Sequence, residues 1–334
     1  MHQARFYHTI GADIQCELCL HQCVIKNNRF GRCGVRKHID GVLYSTIYRK
    51  LVAEQIDPVE KKPLFHVWPG SLTYSLATKG CNFRCLHCQN YSISQVSEDL
   101  RLYQGLEKSP QEVVTQALSS GCRSISYTYV EPTVFFEYAY DCCVKARQHN
   151  LGNLFISNGY MGKGAASLLA PVLDGINIDL KSFRESFYQD ICGATLQPVL
   201  DNICFFRAQG VWVEVTTLVV PGLNDSDEEL HDIASFLAAT DPDIAWHVSG
   251  FRPTYKMQDR PPTSPATLIK AREIGLSHGL RHVYVGNLRN VGGEDTYCPG
   301  CSAVLIKRAG FHVLSNQMQS GLCPDCGNKI AGFW

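Results

Sequence analysis

Gly80-Cys81-Asn82-Phe83-Arg84-Cys85-Leu86-His87-Cys88-Gln89-Asn90 sets three thiols at C-x3-C-x2-C spacing on one short loop, directly behind an apolar strand candidate at 73–78. Three thiolates so spaced can wrap three corners of an iron–sulfur cube. With no fourth cysteine close by in sequence, one iron is left open to an outside ligand. The competing reading is a structural zinc site that takes His87 or a remote residue as its fourth ligand. Spacing alone leaves the two close; position separates them. A loop at the C-terminal end of the first strand of a β/α array is where a cofactor sits, and structural zinc is seldom found there.

The array runs outward from this loop, over residues 71 to about 290. Strand candidates lie at 73–78, 124–130, 153–157, 175–180, 211–220, 245–249 and 282–285. Stretches of helical period lie between them at 110–120, 133–148, 163–169, 197–209, 226–239 and 265–278. Ser109 before Pro110, and Asp225/Ser226 ahead of Glu228 and Glu229, supply helix starts. Such alternation predicts a parallel sheet, open or closed into a barrel, with functional residues at the C-terminal ends of its strands.

Sixteen of the 334 residues are cysteine, and Lys+Arg and Asp+Glu both number 31, for a formal net charge of zero. The balance excludes a strongly basic nucleic-acid-binding surface, so nucleic acid is not indicated. No apolar run reaches the roughly 18 residues a bilayer span needs, so no membrane role is expected. The first ten residues lack a signal-peptide pattern, and a cytoplasmic protein is expected. Thiols stay reduced there, so the cysteines point to metal. Cys298-Pro299-Gly300-Cys301 and Cys323-Pro324-Asp325-Cys326 are paired knuckles of zinc-ribbon or rubredoxin type, with a hairpin expected between them and zinc preferred over a single iron. The closing Ile330-Ala331-Gly332-Phe333-Trp334 is read as a packing plug for that ribbon. Cys16, Cys19, Cys23 and Cys33 fit zinc or an auxiliary cluster, with the metal open and zinc slightly favoured. Cys122, Cys142, Cys143, Cys192 and Cys204 are read as core residues.

The three-cysteine loop resembles the signature of the radical SAM superfamily, C-x3-C-x-(aromatic)-C, with His87 where Tyr or Phe is usual. The resemblance implies a [4Fe–4S] cluster on Cys81, Cys85 and Cys88 whose open iron binds S-adenosylmethionine, and a one-electron reductant such as flavodoxin or ferredoxin. Tyr129-Val130-Glu131-Pro132-Thr133 stands where the family often has Gly-Gly-Glu, which implies that Glu131 meets the methionyl ammonium. Ser157-Asn158-Gly159 and Asp179-Leu180-Lys181 resemble strand ends of pyruvate formate-lyase-activating enzyme that reach the cofactor. Thr216 and Ile156 replace an arginine and an acidic residue of that enzyme.

Along nearly its whole length the chain resembles the AmmeMemoRadiSam-system radical SAM proteins. The resemblance is carried by Cys16-Glu17-Leu18-Cys19-Leu20-His21-Gln22-Cys23, Gly31-Arg32-Cys33-Gly34-Val35-Arg36, Ile56-Asp57-Pro58-Val59-Glu60-Lys61-Lys62-Pro63-Leu64-Phe65-His66 and Phe251-Arg252-Pro253-Thr254-Tyr255-Lys256-Met257. The last segment often has His where Arg252 stands. His247 is the nearer imidazole, read equally as an active-site group or a core histidine. The implied fold is a partial (β/α)6 TIM-like barrel at 71–290, with a Cys-rich segment at 1–70 and a ribbon at 291–334. Memo-like and AMMECR1-like proteins are the implied partners. The expected activity is hydrogen abstraction from a substrate the resemblance leaves open. Activation of a protein glycine, modification of a small molecule or RNA, and a non-catalytic metal-ribbon adaptor are the rivals.

Overall fold

Eight strands form the central sheet of the computed structural model, which describes residues 1–95, 105–288 and 293–334. In chain order they are β1 (Ala53–Pro58), β2 (Leu72–Ala77), β3 (Ser124–Tyr127), β4 (Gly152–Ser157), β5 (Gly175–Asp179), β6 (Trp212–Val219), β7 (Ala245–Gly250) and β8 (Val283–Gly286). Strands β2 to β8 are parallel and lie side by side in chain order, while β1 pairs antiparallel with β2. β1 and β8 are the two edges, so the sheet stays open, as a partial barrel requires.

The parallel strands fall where the sequence places them. The largest difference is at β3, which ends at Tyr127 instead of residue 130 because the chain turns at Tyr129, whose φ is 66°. The sheet also reaches back past residue 71: Ala53–Pro58 supplies its antiparallel edge.

Helices α1 (Pro110–Ser119), α2 (Phe136–Arg147), α3 (Lys163–Leu169), α4 (Gln197–Ala208), α5 (Asp227–Thr240) and α6 (Pro265–Ser277) alternate with the strands. Their starts are written locally. Ser109 Oγ accepts from the Glu112 amide while the Glu112 carboxylate accepts from the Ser109 amide, a complete capping box at α1. Ser226 caps α5 in the same manner, through the Glu229 amide. On α2, Phe136, Ala139, Cys142, Cys143 and Ala146 are wholly buried against the sheet. Cys122 and Cys192 are buried as well, but Cys204 is exposed. Helix α4 buries Val199, Leu200, Ile203 and Phe206, and Cys204 lies off that face.

The C-terminal ribbon consists of β9 (Thr296–Tyr297), β10 (Val304–Ala309) and β11 (His312–Asn316), the last two forming the expected hairpin. The expected boundary at 290/291 lies outside the described residues. The ribbon docks at the N-terminal end of the sheet strands. There the Trp68 amide donates to the Phe333 carbonyl and the Phe333 amide to the His66 carbonyl, and the Trp334 ring lies 5.1 Å from that of His66. Arg308 on β10 is the fastener: it donates to the Phe65 carbonyl at 2.9 Å and to Thr296 Oγ1 at 2.7 Å, and stands 3.6 Å from the Glu60 carboxylate. Among the described residues, no helix is long and apolar enough to cross a membrane.

Breaking a buried ion pair from one side strands the partner charge, at a cost of about 3–5 kcal/mol. Arg308→Ala is therefore expected to lower unfolding stability by that amount, measured by urea denaturation. A change within about 0.5 kcal/mol, the range of an ordinary surface substitution, would show that Glu60 does not depend on it.

Candidate functional site

The three-cysteine loop is held by its own backbone before any metal is considered. Arg84 and Leu86 donate amides to the carbonyls of Cys192 and Ile191, Gly80 donates to Ile93, and Lys256 donates back to Leu86. Phe83 is buried at the loop's centre, 5.2 Å from the Tyr160 ring and 6.2 Å from that of Tyr188. Gly80 has a φ of 95°, and an added Cβ would stand 2.7 Å from Val35 and 2.9 Å from the Cys33 carbonyl. Only glycine combines that backbone conformation with so close an approach of the N-terminal segment.

Around this loop the ends of β3, β4 and β5 converge. Glu131 is buried and accepts four hydrogen bonds. Oε1 takes the Thr133 amide at 3.0 Å, the Thr133 hydroxyl at 2.5 Å and the Ser157 hydroxyl at 2.8 Å, and Oε2 takes the Asn158 amide at 2.7 Å. Burial nevertheless pushes its carboxyl up. Asn158 Nδ2 donates to Asn82 Oδ1 at 2.7 Å and stands 4.0 Å from Cys81 Sγ. Lys181 pairs with Asp179 at 2.9 Å and interacts electrostatically with Cys85, Cys88 and His87. Burial pulls Lys181 down, but Asp179 and Cys85 more than offset it, so the ammonium stays charged. Burial, reinforced by Lys181, lowers His87 to about 3, and its ring is neutral.

Glu131, Ser157, Asn158, Asp179, Lys181 and His87 thus share one mouth with the three thiols. Asn82, which ties that mouth to the loop, was not singled out from sequence; its place between Cys81 and Cys85 was the available signal. Three buried polar atoms here have no protein partner: His87 Nδ1, Asn82 Nδ2 and Thr216 Oγ1. Unpartnered buried groups are costly, and these, beside three thiols and a buried ammonium, fit a bound polar cofactor.

Tyr129 explains how the mouth forms without the usual glycines. It adopts positive φ despite its Cβ, at a cost of roughly 1–2 kcal/mol. Its hydroxyl donates to Asp57 Oδ2 at 2.5 Å, and the Lys62 ammonium lies 4.4 Å from its ring centre. Lys61 and Lys62 each reach Asp57 at 2.7 Å. Although burial opposes it, these three donors hold the Asp57 carboxyl well below its usual range.

Two candidates lie differently from expectation. His247 is not at the mouth: Nε2 meets Glu214 at 2.5 Å, and the ring packs against Phe65 and Tyr284. Glu214 also takes the amides of Phe65 and His66 and the Trp212 indole, so this is the buried polar floor of the barrel. Cys192 is buried as expected, yet its thiol hydrogen-bonds Cys85; with Lys181 that bond lowers Cys85 against burial, while burial pushes Cys81 and Cys88 up.

At the opposite end, the sulfurs of Cys298, Cys301, Cys323 and Cys326 lie within 4.8 Å of one another, with Cys298–Cys326 at 3.5 Å and Cys301–Cys323 at 3.6 Å. That set could close around one ion. Cys16, Cys19, Cys23 and Cys33 line a common recess on the outer side of the cluster loop.

Residues 75–237 match the radical SAM superfamily. The uncharacterized protein MJ0808 of Methanocaldococcus jannaschii is 43% identical over 334 residues, covering 99% of each chain. The pyruvate formate-lyase 1-activating enzyme of Escherichia coli (strain K12) is 22% identical over 162 residues, 47% of this chain and 65% of that enzyme. Among solved structures, Streptococcus suis SuiB bound to S-adenosylmethionine superposes with a TM-score of 0.52 at 12% identity, over 72% of this chain and 56% of that one, a likeness of fold. The chain belongs to the radical SAM superfamily. Its relatives include an activase, and the adaptor reading finds no support among them.

Tyr129→Phe removes one hydrogen bond to a charged, buried acceptor and is expected to cost about 1.5–3 kcal/mol at pH 7. Because the folded Asp57 is depressed, its contribution is complete above its ordinary range and fades as pH falls below about 4. The variant's deficit should shrink over that interval in urea titrations. A deficit independent of pH would place the effect in ring packing.

Proposed function

We propose that this chain is an enzyme of the pyruvate formate-lyase-activase type that abstracts hydrogen from its substrate, acting in the cytoplasm with a flavodoxin- or ferredoxin-type reductant. The observation that carries it is the convergence of Cys81, Cys85 and Cys88 with Glu131, Lys181 and three unpartnered buried polar atoms at one mouth. Cys81, Cys85 and Cys88 would hold a [4Fe–4S] cluster. When bound, that cluster and S-adenosylmethionine supply reductive cleavage to methionine and a 5′-deoxyadenosyl radical.

The chain's own groups orient and shield. Glu131 Oε1 already accepts three hydrogen bonds, so the methionyl ammonium is left Oε2, which accepts one. Lys181 suits the carboxylate or ribose, and the neutral His87 ring suits the adenine. Ser157 and Asn158 fix Glu131 in place. At the ribbon, the tight sulfur set suits zinc or a rubredoxin-type iron. Its position at the far end of the strands supports a structural role.

The activase relative favours a protein glycine as one target. Memo-like and AMMECR1-like proteins are the first partners to try, on the resemblance of the whole chain to the AmmeMemoRadiSam system.

The test is anaerobic reconstitution with iron and sulfide, then dithionite and S-adenosylmethionine, with chromatography for 5′-deoxyadenosine. Wild type should form it and Cys85→Ala should not. Failure of cluster-loaded wild type to form any would sink the reading. With a candidate partner present, absence of a glycyl-radical doublet in electron paramagnetic resonance would remove the activase assignment for that partner.

A further inference from the structure

Cys16, Cys19, Cys23 and Cys33 line one recess, together with Arg36 and Thr133. The Cys16 amide donates to the Cys23 carbonyl at 2.9 Å and all four residues line the same recess, so the four form one set. Their spacing decides what they can hold. Four thiolates on zinc at about 2.3 Å place sulfur pairs about 3.8 Å apart, and the C-terminal ribbon has that compactness. Among the described residues, the ribbon is the one group of three or more such ligand atoms within 4.8 Å of one another. The N-terminal four are set more loosely than that, as are Cys81, Cys85 and Cys88. That looser set suits a cube of iron and sulfide better than a single tetrahedral ion.

A second observation points the same way. Arg36 is only 1% exposed, and its two terminal nitrogens are taken by Glu137, at 3.0 Å, and by the Arg5 carbonyl, at 2.5 Å. Its Nε, also buried, has no partner. The guanidinium lines the recess and interacts electrostatically with Cys16 and Cys33. A buried cation with an unused donor beside four thiols is suited to an anionic metal–sulfur centre.

We propose that Cys16, Cys19, Cys23 and Cys33 hold a second [4Fe–4S] cluster, complete in its protein ligands. Lacking an open corner, it can carry electrons but cannot chelate S-adenosylmethionine. It lies directly against the barrel site. The Cys33 carbonyl abuts Gly80, the residue before Cys81. Thr133, which lines the recess, gives both its amide and its hydroxyl to Glu131. On this proposal iron and sulfide take the place of the zinc slightly favoured from sequence.

The deciding measurement uses full-length protein reconstituted anaerobically, with iron, zinc and acid-labile sulfide counted per chain. Wild type is expected to hold about eight sulfide-bridged irons. A variant combining Cys81→Ala, Cys85→Ala and Cys88→Ala should keep about four irons and four sulfides, and one combining Cys16→Ala, Cys19→Ala, Cys23→Ala and Cys33→Ala should also keep about four. After dithionite reduction, the barrel-loop variant should show a cluster resonance that S-adenosylmethionine leaves unchanged. A barrel-loop variant devoid of sulfide, with wild type at about four irons, would overturn the proposal whether or not zinc replaced them. The deciding count is made on the barrel-loop variant, so collapse of the N-terminal variant does not obscure it. Nor does the count depend on S-adenosylmethionine cleavage, so the two readings can fail separately.

Discussion

Four hydrogen bonds converge on the buried carboxylate of Glu131, and the mouth of the sheet depends on them. The donors come from the turn after β3 and from the end of β4. Through Asn158 and Asn82 the same carboxylate is tied to the loop that carries Cys81. A carboxylate taken out of water is costly unless its lone pairs are filled, so the strand ends and the loop hold one arrangement or leave the charge exposed. The residue first noticed as a candidate cofactor ligand is thus also the knot that assembles the site.

The two flanking cysteine-bearing segments lie at the two ends of the barrel. The ribbon seals the floor, where Arg308, Phe333 and Trp334 pack around Phe65 and His66. The N-terminal segment closes on the mouth: Cys19 bridges to Met161, His21 meets the Asn82 carbonyl at 2.9 Å, and Arg84 donates to the Arg32 carbonyl. Gly162 is similarly tight, since a Cβ there would stand 2.3 Å from the Glu17 carbonyl. Removal of either segment would expose buried surface of the sheet and not merely delete its cysteines.

The parallel strands and their helices were legible because each states its own signal: continuous apolar runs for strands buried on both faces, capping residues at Ser109 and Ser226, and a loop behind β2 whose spacing admits few ligands. Cys204 was misread because a lone small residue on a helix carries no sign of which face it takes. His247 was ambiguous because its partner, Glu214, lies 33 residues away on the neighbouring strand. For the same reason Cys192 gave no hint that it would meet Cys85. The looseness of the N-terminal thiol set was also out of reach. Spacing along a chain says which sulfurs can meet, whereas distance across a recess says what fits between them.

Tyr129 in the turn after β3, Asp57 on the edge strand β1 and Lys62 just beyond that strand form one interdependent set. A glycine at 129 would need neither the carboxylate that receives the hydroxyl nor the ammonium over the ring. A tyrosine there without both partners would carry backbone strain with nothing to offset it. The effect of a substitution at any one of the three is therefore contingent on the other two. The backbone shape of the mouth is in this way tied to a carboxylate on the sheet's antiparallel edge and an ammonium just beyond it.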